Sequence, residues 1–157
     1  MKKIFIYYSF TGNGDVVAKE FKIKGYDTFK IVTKEELPKN FILSMLVGGF
    51  KAGIGYRDKI EDIKYDMSSY DEIIIGTPIW NGRISSPINT LLKQIDFTDK
   101  KITFVFYSGS GKIDKALKQL DKVCSKYKTI NLVEPKKNKD EIKKLNIKEK
   151  IWKKYMK

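Results

Sequence analysis

Three short clusters hold the residues of this chain best suited to chemistry. The first, Ser9-Phe10-Thr11-Gly12-Asn13-Gly14, offers two hydroxyls, one side-chain amide and several backbone N–H groups just ahead of a helical pattern. Open N–H groups at a helix start attract anions through unpaired donors and the helix dipole. The cluster contains no lysine, so a phosphate monoester held by neutral donors suits it; an ordinary capped strand-to-helix turn would use the same residues. Asp15 follows in the first turn and is expected to point to solvent, because turned inward it would repel a phosphate. The second cluster, Thr77-Pro78-Ile79-Trp80-Asn81-Gly82-Arg83, places an indole just past a strand end. A large aromatic on a loop needs something to pack on, and either a planar ligand or the edge of the core serves. Asn81 and the neighbouring N–H groups can hydrogen-bond a heterocycle, and Arg83 can meet an anion or a partner. The third cluster, Ser108-Gly109-Ser110-Gly111, is small enough for a flat ring to lie against its backbone.

Several other chemistries are excluded. There is no histidine and only one cysteine, Cys124. Ser-His-Asp and Cys-His catalysis, His-ligated zinc or haem, CxxC redox chemistry, Cys-ligated iron–sulfur clusters and an intramolecular disulfide are all ruled out. A lone thiol and no signal peptide point to the reducing cytoplasm. Cys124 falls on an apolar helical face and reads as a small buried hydrophobe. Gly12-Asn13-Gly14-Asp15-Val16-Val17 starts a G-x-G-x-x-G motif but ends in valine. Ser108 to Lys112 looks like the tail of a P-loop, yet Phe106 stands where its first glycine belongs and Ile113 where its hydroxyl belongs.

The clusters need elements to position them, and the chain order supplies these. Lys2–Tyr8 is an apolar β-rich run. A helical pattern with Val16, Val17, Ala18 and Phe21 on one face follows and stops at Gly25. Tyr26–Val32 alternates as a second strand. Residues 38–50 are apolar with weak helical spacing, and Gly48, Gly49, Gly53 and Gly55 make a loose stretch to about Tyr56. Glu72–Gly76 is a fully apolar strand of the central parallel kind. Ile88, Leu91, Leu92 and Ile95 share a helix face. Lys101–Tyr107 is a fourth strand. A helix carrying Ile113 to Tyr127 comes next, then a fifth strand over Thr129–Glu134 and a lysine-rich helix at about 138–157, in which Trp152 and Tyr155 pack on the sheet. Five strands alternating with helices in 157 residues give one α/β domain, with a parallel sheet covered on both faces. Ligands sit beyond the carboxyl ends of such strands. The three clusters follow strands one, three and four, so they converge on one edge.

The longest apolar stretch, Phe41–Val47, is too short to span a membrane. Net charge is +13, and only Arg57 and Arg83 among the 32 basic residues are arginine. Nucleic-acid recognition leans on arginine, so the excess reads as a solvated lysine surface with no nucleic-acid partner. Lys136–Lys157 alone contributes +7.

Taken together the clusters resemble the flavodoxin family. Ser9–Gly14 matches the family's phosphate loop T/S-x-T-G-x-T at five of six positions, Gly14 standing in place of the last threonine. Gly76–Gly82 is similar to its second flavin loop, with Trp80 where an aromatic stacks on the isoalloxazine, and Ser108–Gly111 occupies the place of the third. The resemblance implies a flavodoxin-like three-layer sandwich with a five-stranded parallel sheet in the order 2-1-3-4-5. It implies noncovalent FMN and a role in electron transfer. The basic charge departs from the acidic habit of the family and implies redox partners with acidic docking faces. The chain is expected to be a monomer or weak dimer. An FMN-dependent NAD(P)H:acceptor (quinone) oxidoreductase is the alternative, with Gly48–Arg57 as a lid. A flavin-free binding module is the third reading.

Overall fold

The structure is a computed structural model and describes residues 1–146. Chain order is β1 (Lys3–Tyr7), α1 (Asn13–Ile23), β2 (Asp27–Lys30), α2 (Phe41–Gly53), β3 (Glu72–Trp80), β4 (Arg83–Ile84), α3 (Ser86–Leu91), β5 (Lys101–Ser108), α4 (Asp114–Leu120), β6 (Lys128–Val133) and α5 (Lys139–Ile142). The sheet runs β2-β1-β3-β5-β6, all parallel, with β4 attached antiparallel to β3. Leaving out the two-residue β4, this is the 2-1-3-4-5 order.

The alternation of buried side chains along the central strands divides the core in two. Ile4, Ile6, Ile73, Ile75, Phe104 and Phe106 face α3 and α4, meeting Ile88, Leu91, Ala116 and Leu120. Phe5, Tyr7, Ile74, Val105 and Tyr107 face α1 and α5, meeting Val17, Phe21 and Leu145. A period of two along each strand places alternate residues in opposite layers. Each fully buried aliphatic or aromatic side chain contributes about 1.5–3 kcal/mol. Both faces of the sheet therefore hold it together, and the helices must lie on both sides.

Five expectations need correction. The glycines at 48, 49 and 53 are not a loose connector but lie inside α2, which is capped by Asn40 Oδ1 accepting from Leu43 N–H at 3.0 Å. Gly48 is used for close approach: a Cβ there would stand 3.1 Å from Trp80 Cε3. The third parallel strand does not stop at Gly76 but runs to Trp80. Asn81 and Gly82, at φ 51° and 72°, form the tight turn that pairs Trp80 with Arg83. Val16 is only partly buried on α1, whose inward face is Gly14, Val17, Ala18 and Phe21. The helix through Ile113–Tyr127 is shorter, Asp114–Leu120, because the N–H groups of Lys122 and Val123 reach only three residues back, to the Gln119 and Leu120 carbonyls, and tighten the chain out of the α-helix. Cys124 is still buried. Finally, the lysine-rich segment begins as a single helical turn, α5, followed by a 3-10 turn over Lys143–Asn146. The rest of the expected helix, with Trp152 and Tyr155, lies outside the described residues.

Candidate functional site

The strand registers bring the three clusters to one rim. Tyr7 pairs with Gly76, Pro78 with Tyr107 and Ser108 with Val133, so the carboxyl ends of β1, β3, β5 and β6 lie side by side. The chain departs from β1 toward β2 on one side, and β3, β5 and β6 extend on the other. The β1/β3 boundary is thus where strand order reverses.

Ser9–Gly14 is the most organised of the three. Ser9 is buried, and its Oγ accepts from the Gly14 N–H at 3.0 Å. Thr11 Oγ1 accepts from Asn13 Nδ2 at 3.3 Å. Gly12 sits at φ 90° as the residue before α1 and offers no side-chain cap. No described residue accepts from the N–H groups of Thr11, Gly12 or Asn13. They leave open donors at the start of an eleven-residue helix, the kind of helix end that can take an anion. Phe10 is exposed and helps line a cleft of about 370 Å³ with Tyr8, Thr33 and Glu36.

Two neighbours of this loop were not visible in the sequence motif. Lys136, in the turn after β6, donates its backbone N–H to Asn13 Oδ1 at 3.0 Å and its Nζ to the Thr11 carbonyl at 3.1 Å. Its Nζ would lie 3.1 Å from a Cβ on Gly12. The loop thus gains the cation that its own sequence lacks, from 125 residues away. Tyr107 is the second. Its phenol donates to the Tyr8 carbonyl. A Cβ on Gly14 would lie 2.6 Å from Tyr107 Oη, 2.8 Å from Tyr7 Cδ2 and 2.9 Å from Ser9 Cβ. The space a threonine would need at position 14 is already filled. Burial raises the Tyr107 phenol well above its ordinary pKa, helped by Tyr7 and Asp15, so it stays a neutral donor.

Asp15 does not simply face solvent. Its carboxylate accepts from Tyr7 Oη at 3.0 Å and pairs with Lys30 Nζ at 2.8 Å. Its charge is engaged, which removes the repulsion expected of a free carboxylate beside an anion site.

The second cluster divides. Thr77 is fully buried, and its Oγ1 lies 2.9 Å from the Pro78 carbonyl and 3.1 Å from Ser85 Oγ, so it braces the β3–β4 hairpin instead of reaching the rim. Pro78 and Ile79 continue β3, half-buried. Trp80 meets Tyr8 edge-on, ring centroids 5.8 Å apart at 89°. Gly48 of α2 covers part of its indole, so this ring packs at the core edge. Asn81 is exposed, Gly82 lies over the Lys115 side chain, and the Arg83 guanidinium turns toward the Asn81 carbonyl at 3.5 Å. In the third cluster Ser108 Oγ is buried and accepts from Gly111 N–H at 2.8 Å. Gly109 and Ser110 remain exposed at the tip. Asn131 Nδ2 supports the loop from β6 through the Gly111 carbonyl at 2.7 Å.

A family model described as Flavodoxin matches residues 52–153, about two thirds of the chain. The chain belongs to the flavodoxin family. Similar solved structures agree on the flavodoxin fold. A protein from Bacteroides eggerthii named as a flavoprotein has a TM-score of 0.68 at 21% identity, over 94% of this chain and 99% of that one. A flavoprotein from Lactobacillus acidophilus, crystallised in complex with FMN, has a TM-score of 0.64 at 19% identity, over 88% and 97%. Comparison with curated proteins finds no match. Among the described residues no helix is long and apolar enough to cross a membrane. In this flavodoxin-family chain Ser9, Gly12 and Gly14 shape the turn between β1 and α1, whereas Thr77 serves the scaffold.

Proposed function

We infer that this chain binds FMN at the rim formed by Ser9–Gly14, Trp80–Gly82 and Ser108–Gly111, and carries electrons between redox partners. The observation that carries this reading is the donor cradle at the β1/β3 boundary. Three open N–H groups and the Lys136 ammonium converge there ahead of α1. Flavodoxins are themselves a standard instance of ligand binding at such a boundary. The donor set fits a phosphate monoester, and the small third loop leaves room for a flat ring. FMN would supply the one- and two-electron chemistry that these side chains lack.

The chain's own residues bind, orient and shield. Ser9 fixes the loop by taking the Gly14 N–H, and Tyr107 holds the Tyr8 carbonyl, so the donors stand in place before a ligand arrives. Trp80, Asn81 and the Gly109–Gly111 backbone would flank the ring. The segment that could have served as an open lid is helical to Gly53 and packed on Trp80. This favours a carrier over an NAD(P)H:acceptor oxidoreductase, which needs an open seat for a second substrate. With a net charge of +13 the carrier meets partners through acidic faces.

The test is the visible spectrum of the protein as isolated, or after incubation with FMN, with the released flavin identified on heating. A protein that stays colourless after incubation overturns the reading. Trp80→Ala should weaken flavin binding and relieve fluorescence quenching. Rapid steady-state oxidation of NADH or NADPH by the loaded protein would replace the carrier with the oxidoreductase.

A further inference from the structure

The helix α2 has an outer surface that the proposed flavin site does not use. Its inward line is Ser44, Gly48 and Ala52, all buried. The opposite side is almost wholly apolar and in water. Ile42 is 70% exposed, Leu43 49%, Met45 60%, Leu46 66%, Phe50 67%, and Ile54 just beyond the helix 61%. Scattered exposed hydrophobes need no explanation, but a contiguous set on one helix does. At on the order of 100 Å² each, these six expose roughly 600 Å². That reaches the upper end of the largest patch on an ordinary monomer.

We propose that this face is the interface of a two-fold homodimer, with α2 packed antiparallel against α2 of a second copy. Two such faces would bury about 1,200 Å² in all, the lower bound for a stable specific interface. The pattern suits a helix partner. Ile42, Leu46, Gly49 and Gly53 are spaced four, three and four apart, the seam spacing of paired helices, with Leu43 and Phe50 beside it. A seam from one helix is self-complementary under a two-fold axis, so the assembly closes at two.

Charge selects a second copy over other occupants. Lys51 is the sole charged residue on α2, and it is spent in an ion pair with the buried Asp58 at 2.6 Å. Residues 34–64 carry six basic and five acidic side chains, so the +13 lies mostly elsewhere. The exposed charges beside this face are mixed, Lys39, Arg57 and Lys59 against Glu35, Glu36 and Glu61, so it offers no net cationic surface to an anionic lipid or an acidic protein and does not repel its own copy strongly. The dimer would also hold α2 in place over Trp80 through Gly48. The proposal does not depend on flavin.

Sedimentation velocity of the full chain, with and without FMN, tests it. The wild type should sediment as a dimer at micromolar concentrations. Leu46→Glu and Phe50→Glu should each give monomers with unchanged circular dichroism, since both sites face water in the single chain. Leu46→Cys should join two chains by a disulfide under mild oxidation, whereas Lys93→Cys, in the exposed turn after α3, should not. A wild type that stays monomeric at high micromolar concentration overturns the proposal, as does a dimer that survives both glutamate substitutions. A monomer that floats with phosphatidylcholine–phosphatidylglycerol vesicles would assign the face to lipid instead.

Discussion

Replacing Lys136 should separate the phosphate of FMN from its ring. The Lys136 Nζ lies 3.1 Å from the Thr11 carbonyl and against Gly12, beside the three open N–H groups that precede α1. Opposite charges act on one another within about 4–6 Å, so a phosphate held by those groups would feel the neighbouring ammonium. One charge pair at about 4 Å is worth about 1 kcal/mol in a water-like medium, and a phosphate dianion roughly doubles this. Lys136 is exposed, so salt screening trims the gain. A loss of about 1–2 kcal/mol follows, or roughly 5- to 30-fold in Kd. The assay is a fluorescence titration of apoprotein with FMN and, in parallel, with riboflavin. Lys136→Gln removes the charge while leaving a polar N–H side chain beside the Thr11 carbonyl. It should weaken FMN by that factor, leave riboflavin unchanged and flatten the salt dependence of FMN binding. Lys136→Arg should restore most of it. An equal loss for both ligands would mean that Lys136 merely shapes the loop, and no loss for FMN would remove it from the phosphate site.

Three further outcomes follow from the same contacts. Gly14→Thr restores the family's hydroxyl but drives a side chain into Tyr107, Tyr7 and Ser9. It should lower stability by about 1–3 kcal/mol, read as a drop in Tm, and Tyr107→Phe should recover part of the loss in a double-mutant cycle. Asp58 is buried, pairs with Lys51 and accepts from Ser86 Oγ, so it ties α2 to α3. Asp58→Asn should cost about 3–5 kcal/mol by leaving Lys51 uncompensated. Adding Lys51→Met should return much of it in urea unfolding, and strict additivity would refute the pairing. Alkali should unfold the protein through its tyrosines. Burial, aided by Asp58, pushes Tyr8 up to about 12, and burial with Glu72 pushes Tyr26 up to about 12. Tyr7, Tyr70 and Tyr107 are also raised, with burial the first cause of each. A phenol whose folded pKa exceeds its unfolded value near 10 stabilises the fold below pH 10 and loses that contribution as pH climbs toward 12. Tyrosinate absorbance and circular dichroism should change together over that window. Titration of all the tyrosines near pH 10 with the fold intact would contradict the burial argument.

The parts of the fold legible in the sequence are those written in local periodicity. The apolar runs at 3–7, 72–76 and 101–107 name the central strands because strands buried on both faces need no polar alternation. The rim followed from which strands the Gly- and hydroxyl-rich turns end. The hairpin at Asn81-Gly82 was also legible, since Asn-Gly is the preferred two-residue turn between paired strands. Reading it as an open loop put Trp80 on a tip, when it closes β3 under α2. Glycine misled at 48, 49 and 53 because its usual sense is flexibility, whereas Gly48 is small so that a helix can lie on an indole.

What no local pattern held is the set of contacts made across the chain. Gly14 stands out in the sequence as the one departure from the family's phosphate-loop pattern. The Tyr107 phenol, 93 positions away in sequence order, explains why a larger residue does not fit there. The same loop seemed to lack a cation, and Lys136 brings one from the turn after the last strand. Parallel topology sets the carboxyl end of β6 at the same rim as that of β1, and the turn beyond β6 reaches back across the rim to the Ser9–Gly14 loop. A lysine among ten in a basic tail is unremarkable as sequence and singular as geometry. The hydroxyl absent at position 14 and the ammonium brought from position 136 thus have separate causes at one loop: Tyr107 fills the space of the first, and the turn after β6 delivers the second. An anion bound at this loop would meet a charge as well as neutral donors, so its affinity should fall with added salt, as the FMN titration of the wild type and Lys136→Gln would read.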